Sequence, residues 1–584
     1  MKFSALALDY DGTIAANGGG VDPAVRAAIA EARQRGIIVA LVTGRRLSDL
    51  RRVAGDLSCF DVVVAENGAV LEFPSSGRHV LLSHPPSETV LAEFVRRGLD
   101  VMIGESVIEA DAALAAPILD VIRRLEQPLI LAFNRSRLMV LPQAVAKSTG
   151  LRQALRALRV SIHNTVGVGD AENDHDLLDS CEVGVAVEWG SPALRAVADE
   201  IIRGTGPSAV ADYVNRVSRQ PRLSAGQMGR RRLSLGHQHD GLPVSLAVRG
   251  RTIIVAGEPG TGKSFLAGLL CEQLILQDYC VCIIDPEGDY RSLEALPSVI
   301  VLGGDDPPPS PREIEQALRY SDISVIVDLS KMLHHEKVEY LNSLLPTLNH
   351  LRRRTGLPHK ILVDEAHYFL GPGSAHLLDP ELAGYILVTY RVSALDEAVR
   401  ATNDAVVMVT RETSAQECEA LLAMCAACRK ATFAPEIFRE LQTSEAALLP
   451  GPEEAHGQVR RFRMAPRLTG HVRHRTKYLD MPIRPSQAFV FTQHGQPGPR
   501  AHTLRAFTGL LTALPAEELQ GHLQRHDFSQ WLDHVFRDRS LAAHILHLEQ
   551  RVDALDVRYT TDAIAQAIRA RYEVADGAES ESRT

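Results

Sequence analysis

The chain lacks three features that would each assign it to a special class. No apolar run approaches the roughly 20 residues that a membrane-spanning helix needs. Among 584 residues there are only eight cysteines, and they are scattered, which is typical of reduced thiols and not of a disulfide framework. Lys and Arg total 63 against 72 Asp and Glu, a net charge of −9. This balance argues against a generally basic nucleic-acid-binding protein, but it does not exclude a local basic groove.

A secretion signal is also missing, because residues 1–4 lead directly into an acidic strand end. Together with the reduced cysteines, this predicts a cytoplasmic protein without membrane contacts. The rest of the composition is ordinary for globular proteins, with 45% hydrophobic and 23% charged residues. The length predicts several domains.

A phosphate-binding loop lies near the middle of the chain, at residues 257–264, with the pattern G-x-x-x-x-G-K-S. A short β-branched run, residues 252–255, precedes it, and an apolar helical stretch follows. Glycines permit the backbone angles that turn successive N–H groups toward one anion. Lys263 can reach the β- and γ-phosphates of ATP, and the Ser264 hydroxyl can bind Mg²⁺. The glycines of the pattern are Gly257, Gly260 and Gly262.

A second acidic strand end supports an ATP site. The apolar run at residues 360–363 ends in Asp364 and Glu365. In a parallel sheet, the carboxyl end of a strand faces the crevice in which ligands bind. We expect Asp364 to hold Mg²⁺ through water and Glu365 to polarise the attacking water as a general base. A solvated pair at a helix start is the alternative for these two residues taken alone.

The N-terminal part contains another acidic strand end, at residues 6–13. Alternation along a strand points Asp9 and Asp11 the same way. Two carboxylates on the same side of a strand repel, so a divalent cation is expected to be bound there. A solvated turn after a strand is the alternative.

Three further stretches belong with this strand end. One strand ends at Thr43, Lys147 opens a helix, and a third strand ends in residues 169–174, which include Asp170. Strands that alternate with helices predict a doubly wound parallel sheet, with these ends on one edge.

These four stretches resemble the motifs of the haloacid dehalogenase superfamily, in the branch with an inserted α/β cap of the Cof type. The resemblance covers roughly residues 1–215. It implies a Rossmann-like domain, with a cap at about residues 82–143 that selects the substrate. It also implies that Asp9 attacks the substrate phosphorus, and that Asp11 protonates the leaving oxygen and then activates water.

The resemblance further implies a Mg²⁺ site made by Asp9, the backbone carbonyl of Asp11, and Asp170. Thr43 and Lys147 would hold the phosphoryl oxygens, with Asn173 and Asp174 as supports. Residues 66–68 resemble the Glu-Asn-Gly segment of the family, and a simple turn without a catalytic role is expected there. Within the cap, strands are expected near residues 99–103 and 129–133, and helices near 88–97 and 112–125.

The central part resembles the HerA/FtsK branch of P-loop ATPases, on residues 257–264, 285–290 and 363–367. This resemblance covers roughly residues 235–465. It implies a RecA-like domain that binds ATP and Mg²⁺, in a group of ring-forming motors that move DNA or protein. The chain departs from the group where Tyr390 and Val392 replace its Gln and Pro.

That departure leaves open the sensor role of Thr389 and the phosphate contact of Arg391. A motor would also require a homo-oligomer through the ATPase domain, with an arginine acting on a neighbouring subunit's ATP. The candidates for that arginine are Arg391, Arg400 and Arg411.

We therefore predict a multidomain α/β protein. Its parts are a phosphatase at residues 1–215, an exposed linker at 216–241, a P-loop ATPase at 242–465, a small and mostly helical module at 466–576, and a disordered tail at 577–584. Within the module, residues 522–531 resemble an uncharacterised helical unit appended to carbohydrate-active enzymes and related phosphatases.

The expected function is a Mg²⁺-dependent phosphatase for a small phosphorylated metabolite, with a sugar phosphate as one candidate, coupled to an ATP-hydrolysing domain. The alternative is a ring-forming motor that translocates nucleic acid or protein, with the phosphatase as an accessory.

Overall fold

The architecture comes from a computed structural model. It describes residues 2–16, 19–134, 136–220, 230–248, 251–401, 406–429, 436–449, 458–470, 488–493, 496–536, 539–551 and 556–572. The predicted disordered tail at 577–584 lies outside these residues. Among the described helices, each is too short or too polar to pass through a bilayer.

The N-terminal part alternates strands and helices. Its strands are β1 (Ala5–Asp9), β2 (Ile38–Val42), β3 (Val62–Ala65), β4 (Val70–Phe73), β5 (Arg78–Leu81), β6 (Val101–Ile103), β7 (Ile108–Asp111), β8 (Leu129–Asn134), β9 (Arg137–Pro142), β10 (Thr165–Gly169), β11 (Val183–Val187) and β12 (Glu200–Ile202). Its helices are α1 (Pro23–Gln34), α2 (Leu47–Ala54), α3 (Glu88–Arg96), α4 (Ala115–Arg124), α5 (Lys147–Ala157), α6 (His175–Ser180), α7 (Pro192–Val197) and α8 (Pro207–Arg219).

The first sheet has the strand order β12-β11-β10-β1-β2-β3-β4-β5. The strands from β12 to β3 are parallel, so their carboxyl ends share one edge. Both faces are covered, because Leu6 and Leu8 of β1 pack in one apolar cluster and Ala5 and Ala7 in another. The predicted doubly wound sheet is confirmed.

The cap is an antiparallel sheet with the order β6-β7-β9-β8, and α3 and α4 cover one of its faces. Both predicted helices and both predicted strands are present, as α3, α4, β6 and β8. The sequence did not predict β7 and β9. A four-residue strand such as β7 is too short for its alternation to stand out from chance.

The C-terminal half begins with a second sheet. Its strands are β13 (Arg232–His237), β14 (Pro243–Ala247), β15 (Ile253–Ala256), β16 (Val281–Asp285), β17 (Val299–Gly303), β18 (Ser324–Asp328), β19 (Lys360–Val363), β20 (Tyr385–Thr389), β21 (Val406–Val409), β22 (Glu445–Leu448) and β23 (Arg460–Met464). Its helices are α9 (Lys263–Leu276), α10 (Pro311–Ala317), α11 (His334–Thr355), α12 (Glu397–Arg400), α13 (Ala415–Arg429) and α14 (Glu436–Arg439).

The strand order of this sheet is β14-β13-β23-β22-β21-β15-β20-β19-β16-β18-β17. The strands from β21 to β17 are parallel, and those from β14 to β22 extend the sheet in antiparallel fashion. Apolar clusters cover both faces. The sheet thus places the ends of β15, β16, β19 and β20 on one edge.

The predicted exposed linker at 216–241 is wrong in its described parts. Residues up to Arg219 belong to α8, and β13 is a strand of the second sheet with Leu233 and Leu235 fully buried. Arg230 pairs with Asp179 and Asp199 at 2.6 and 3.0 Å. Polar residues and glycines suggested a linker, but alternating leucines place this segment in a sheet. Residues 221–229 lie outside the described residues.

The C-terminal module is mostly helical, as expected, but it opens on a hairpin that the sequence did not predict. Its elements are β24 (Phe489–Gln493), β25 (Gln496–Ala501), α15 (Leu504–Ala513), α16 (Ala516–Gln524), α17 (Asp527–Trp531), α18 (Arg539–Glu549) and α19 (Val557–Tyr572). The hairpin packs its phenylalanines against the helix residues Phe507, Leu511 and Phe528.

Candidate active sites

Three buried carboxylates and one lysine form the centre of the N-terminal part. Asp9 ends β1, Asp170 and Asp174 follow β10, and Lys147 begins α5. All four residues are buried, with no more than 4% of the surface of each exposed. The Lys147 ammonium lies 2.7 Å from Asp9 Oδ1 and 2.6 Å from Asp174 Oδ1. The fold therefore brings these strand ends together, as the sequence predicts.

The charges of this cluster fit a divalent cation. One oxygen each of Asp9, Asp170 and Asp174 lie within 4.8 Å of one another. Three carboxylates against one ammonium leave two negative charges in a buried space, which a Mg²⁺ ion would neutralise. Gly12 makes the approach of Asp170 possible, because a Cβ there would lie 2.3 Å from Asp170 Oδ2 and its φ is +76°.

Asp174 serves the cluster as a support. Its Oδ1 accepts from Lys147, and its Oδ2 accepts the backbone N–H groups of Asp170 and Ala171, both at 3.0 Å. These bonds orient the lysine and the loop, which agrees with the supporting role that the family resemblance implied for Asp174. The same resemblance implied Asp9 and Asp170 as the metal ligands.

Electrostatics explain why Asp9 depends on its neighbours. Burial raises the pKa of Asp9 well above its ordinary value, Asp174 and Asp170 raise it further, and Lys147 opposes them. Burial lowers the pKa of Lys147, but Asp174 and Asp9 more than offset this, so the pKa rises overall and the ammonium keeps its charge. A nucleophilic Asp9 must be ionised, so added positive charge next to it would favour attack.

Asp11 is held by an arginine that the sequence did not single out for this role. Arg45 donates to both Asp11 oxygens, at 2.7 and 2.6 Å, and to Asp49 at 2.7 Å. Such a two-pronged bond fixes the Asp11 side chain on the guanidinium. To donate a proton as predicted, Asp11 has to leave Arg45. The sequence places Arg45 directly after the Thr43-Gly44 pair, and this position could have indicated that Arg45 lies near Asp11.

Thr43 lies beside this cluster. β2 pairs with β1 so that Asp9 is opposite Val42, which places Thr43 one residue beyond Asp9 on the same edge. Thr43 is 1% exposed, and its hydroxyl accepts the N–H of Arg45 at 3.1 Å. The predicted phosphate-holding pair, Thr43 and Lys147, therefore flanks Asp9.

The phosphate loop of the C-terminal half joins β15 to α9, as the pattern predicts. Its glycines all have positive φ, and Gly257 admits no side chain because a Cβ would lie 2.1 Å from Thr410 Oγ1. Lys263 and Ser264 form the first turn of α9 and are buried. Lys263 Nζ donates to the carbonyl of Glu258 at 2.9 Å, so the ammonium bends back over the loop.

The second acidic strand end lies on the same edge. β20 separates β15 from β19 and pairs Thr389 with Ala256 and Leu387 with Val363. Asp364 is fully buried, and Glu365 is 5% exposed with a left-handed backbone at φ 49°. The fold thus brings the predicted ATP-site residues to one edge, with one strand between the loop and the acidic pair.

His367 bridges this edge, and the sequence assigned it no role. Its Nδ1 lies 3.1 Å from the Thr389 hydroxyl and 3.6 Å from Glu365. Burial lowers the pKa of His367 to about 4, so the ring is neutral near pH 7. The Thr389 contact is a hydrogen bond, whereas the 3.6 Å separation from Glu365 is too long for one.

Of the three arginines named for action between subunits, Arg391 and Arg411 lie at this site. Arg391 follows Thr389, donates its backbone N–H to the Thr389 hydroxyl, and stacks on Tyr390 with 5.3 Å to the ring centre. Arg400 donates to the carbonyl of Leu395 at 3.1 Å, which ties it to the segment just before its own helix. Arg411 lies next to the phosphate loop, because its carbonyl accepts from Glu258 N–H.

The chain matches two families in different segments. Residues 6–98 and 105–214 match the haloacid dehalogenase-like hydrolases, and residues 234–361 match the central domain of the helicase HerA. Each match spans less than half of the chain. The N-terminal part is thus a haloacid dehalogenase-type hydrolase of phosphoric monoesters, and a P-loop domain of the HerA type follows it.

Similar proteins cover the first of these segments. Phosphoglycolate phosphatase of Methanothermobacter thermautotrophicus is 26% identical over 220 residues, which are 36% of this chain and 97% of that protein. Stress response protein YhaX of Bacillus subtilis is 22% identical over 273 residues, covering 36% and 92%. A haloacid dehalogenase-like hydrolase from Bacteroides thetaiotaomicron aligns with a TM-score of 0.33 at 18% identity, covering 37% of this chain and 100% of its own.

Proposed function

We propose that the protein is a Mg²⁺-dependent phosphatase of a small phosphorylated metabolite, coupled to an ATP-binding and ATP-hydrolysing domain in the same chain. The observation that carries this is the buried cluster in which Lys147 bridges Asp9 and Asp174 beside Asp170. A related protein acts on phosphoglycolate by name, and sugar phosphates remain a second candidate class. We place the protein in the cytoplasm and keep the domain division given above except for the linker, because α8 extends the phosphatase part to Arg219 and β13 begins the ATPase part.

The chain's own residues suit a two-step transfer. Asp9 attacks phosphorus while Thr43 and Lys147 bind the oxygens on which charge develops. Asp11, released from Arg45, donates a proton to the leaving oxygen and then takes one from the water that hydrolyses the aspartyl-phosphate. When bound by Asp9 and Asp170, Mg²⁺ would offset the charge of carboxylate and phosphate.

A chelator should therefore abolish hydrolysis of an aryl phosphate, and Mg²⁺ should restore it. Asp170→Asn removes one charged ligand, so we expect the Mg²⁺ concentration for half-maximal activity to rise about tenfold or more. Steady-state rates at a series of Mg²⁺ concentrations measure this. The matched control is Asp212→Asn, an exposed aspartate on α8, which should leave the Mg²⁺ dependence unchanged. Full activity in excess chelator would contradict the metal requirement.

Coupling is supported by the way the two parts meet. Lys2 and Ser4, ahead of β1, donate to carbonyls at the end of α11, at 2.7 Å for Arg353 and 3.2 Å for Thr355. Asn164, ahead of β10, faces His359, ahead of β19, at 3.1 Å. The contact thus joins the amino ends of both parallel sheets, opposite the edges that carry the two sites.

A buried histidine–glutamate pair lies at the centre of this contact. His163 Nδ1 is 2.7 Å from Glu182, and its Nε2 is 2.7 Å from the carbonyl of Gln277. The imidazole thus links a buried carboxyl group of the phosphatase part to the residue that ends α9. Tyr279 donates to Glu182 and stacks on His163 with ring centres 3.8 Å apart. Arg231 Nε lies 3.4 Å from Glu182.

These residues connect both catalytic centres through short, regular elements. α9 begins at Lys263 of the phosphate loop and ends next to Gln277. On the other side, β10 runs from this contact to Asp170, and α6 runs back from Asp174 toward Glu182. A shift of α9 on nucleotide binding would therefore press on the elements that hold the phosphatase cluster.

Glu182→Gln should weaken this link. It replaces one oxygen of the buried carboxyl group on which His163, Tyr279 and Arg231 converge, so we expect a loss of about 3 kcal/mol in the free energy of unfolding and a loss of any ATP effect on phosphatase rate. Denaturant unfolding, and phosphatase assays with and without ATP, measure the two effects. The control is Asp278→Asn, which breaks an exposed pair with Arg152 at the same contact and should cost about 1 kcal/mol or less. An unchanged ATP response in Glu182→Gln would refute this route.

A panel of phosphorylated metabolites, assayed with and without ATP, tests the proposal as a whole. Hydrolysis of one class, with a rate that ATP changes, supports it, and hydrolysis of none would refute the phosphatase function. The motor alternative predicts instead that ATP drives ring assembly and that DNA accelerates ATP hydrolysis. Light scattering and an ATPase assay with added DNA separate the two.

A further inference from the structure

The turn at Glu66–Gly68 connects three parts of the phosphatase that the sequence treats separately. It follows β3 directly, and Glu66 and Asn67 both have left-handed backbones, with φ of 53° and 55°. Such angles cost free energy in non-glycine residues, so two in succession persist only where surrounding contacts fix them. The expectation that this is a simple turn does not account for them.

The first contact is with the cap. The Glu66 carboxylate is buried and accepts three backbone N–H groups from the turn between β6 and β7, those of Glu105 and Ser106 at 2.9 Å and Val107 at 3.2 Å. The carboxylate also fills the space beside Gly104, where a Cβ would lie 2.7 Å from it. Hydrogen bonds to a charged acceptor are among the stronger ones in proteins.

The second contact is with the loop that holds Thr43. The Glu66 N–H donates to the Arg45 carbonyl at 2.9 Å, and the Asn67 N–H donates to the Thr43 carbonyl at 3.0 Å. The turn therefore fixes the backbone on both sides of Gly44. Met139 of the cap reaches the same place, since a Cβ on Gly44 would lie 3.3 Å from its sulfur.

The third contact is with the start of α5. A Cβ on Gly68 would lie 2.0 Å from the carbonyl of Ala146, and a Cβ on Gly150 would lie 2.5 Å from the Gly68 Cα. Ala146 immediately precedes Lys147, so the turn is in van der Waals contact with the backbone that positions the lysine.

From these contacts we propose that Glu66 is a positioning residue for phosphoryl transfer, which sets the cap relative to Thr43 and Lys147. This rests on the proposed phosphatase function. The carboxylate pins the β6–β7 turn of the cap to the same short segment that fixes the two phosphate-holding residues. Movement of the cap is thereby transmitted to the site, and a closed cap holds Thr43 and Lys147 in place for attack by Asp9.

The test compares Glu66→Ala and Glu66→Gln with the wild-type full chain, using para-nitrophenyl phosphate as the probe. Glutamine keeps the volume but can accept with one oxygen only, so its effect should lie between those of wild type and alanine. For Glu66→Ala we expect kcat to fall about tenfold or more, with a smaller change in KM, because misplaced residues weaken transition-state stabilisation. Glu88→Gln is the matched control, since it makes the same change at an exposed position of the cap helix α3.

Hydrogen exchange gives a second readout that does not depend on turnover. In Glu66→Ala the amides of Ser106 and Val107 should exchange faster, and so should those of Arg45 and Asn67 on the other side of the turn. Faster exchange confined to the cap, or accelerated exchange on both sides with wild-type kcat and KM, would overturn the proposal and leave Glu66 as a structural contact. An inactive wild type would refute the phosphatase function, and exchange at Arg45 and Asn67 would still decide whether Glu66 fixes the site.

Discussion

Asp9→Asn is expected to reduce phosphatase kcat by about 10³-fold or more while ATP hydrolysis continues. An amide does not attack phosphorus, and it also removes the negative charge that Lys147 pairs with at 2.7 Å. The ATP site is unaffected in this prediction because it lies on a different sheet. Parallel assays of para-nitrophenyl phosphate and ATP hydrolysis on one preparation measure both activities.

Asp212→Asn serves as the control for that variant, because this aspartate is exposed on α8 and should change neither rate. Equal losses of phosphatase and ATPase activity in Asp9→Asn would speak against two independent sites. Retained phosphatase activity would remove Asp9 as the nucleophile.

Lys263→Ala is expected to lower ATP hydrolysis by about 10²-fold or more, with the basal aryl phosphatase rate retained. The lysine is the charged group at the start of α9, and alanine cannot neutralise the phosphates. If the coupling route through α9 is correct, this variant also loses the effect of ATP on phosphatase rate. Measuring phosphatase activity with and without ATP separates the basal rate from the response.

Lys331→Ala provides the control, because Lys331 is an exposed lysine of the same domain. A loss of basal phosphatase activity in Lys263→Ala, with the protein still folded by circular dichroism, would show that the phosphatase requires an intact ATP site.

Much of both candidate sites follows from contiguous patterns. The run into Asp9 and the glycines before Lys263 each combine a buried strand, a turn and a helix start within about a dozen residues. Since parallel strands carry their ligand-binding loops at one edge, the meeting of Asp9 with Asp170 also followed from the sequence. The cap strands β7 and β9 could not be predicted in this way. Neither could β13, because polar residues alternate with its two buried leucines.

Partners distant in the chain explain what else was missed. Arg45 reaches Asp11 across 34 residues, Glu66 reaches Ser106 across 40, and Tyr279 reaches Glu182 across 97. No periodicity or spacing announces such pairs, because each depends on how loops from different elements pack. His367 lies within the motif at residues 363–367, but its bond to Thr389 depends on the register of β20.

The sequence by itself determined which residues carry charge at the strand ends and which turns can bind phosphate, because these depend on local backbone geometry and residue type. Only the tertiary structure decided that the two sheets meet at their amino ends, that His163 and Glu182 form a buried hydrogen-bonded pair there, and that Glu66 accepts hydrogen bonds from the cap. These contacts matter for stability because the polar groups that make them are buried and would be costly to leave unpaired. Which groups are buried depends on how the chain packs, not on the order of its residues.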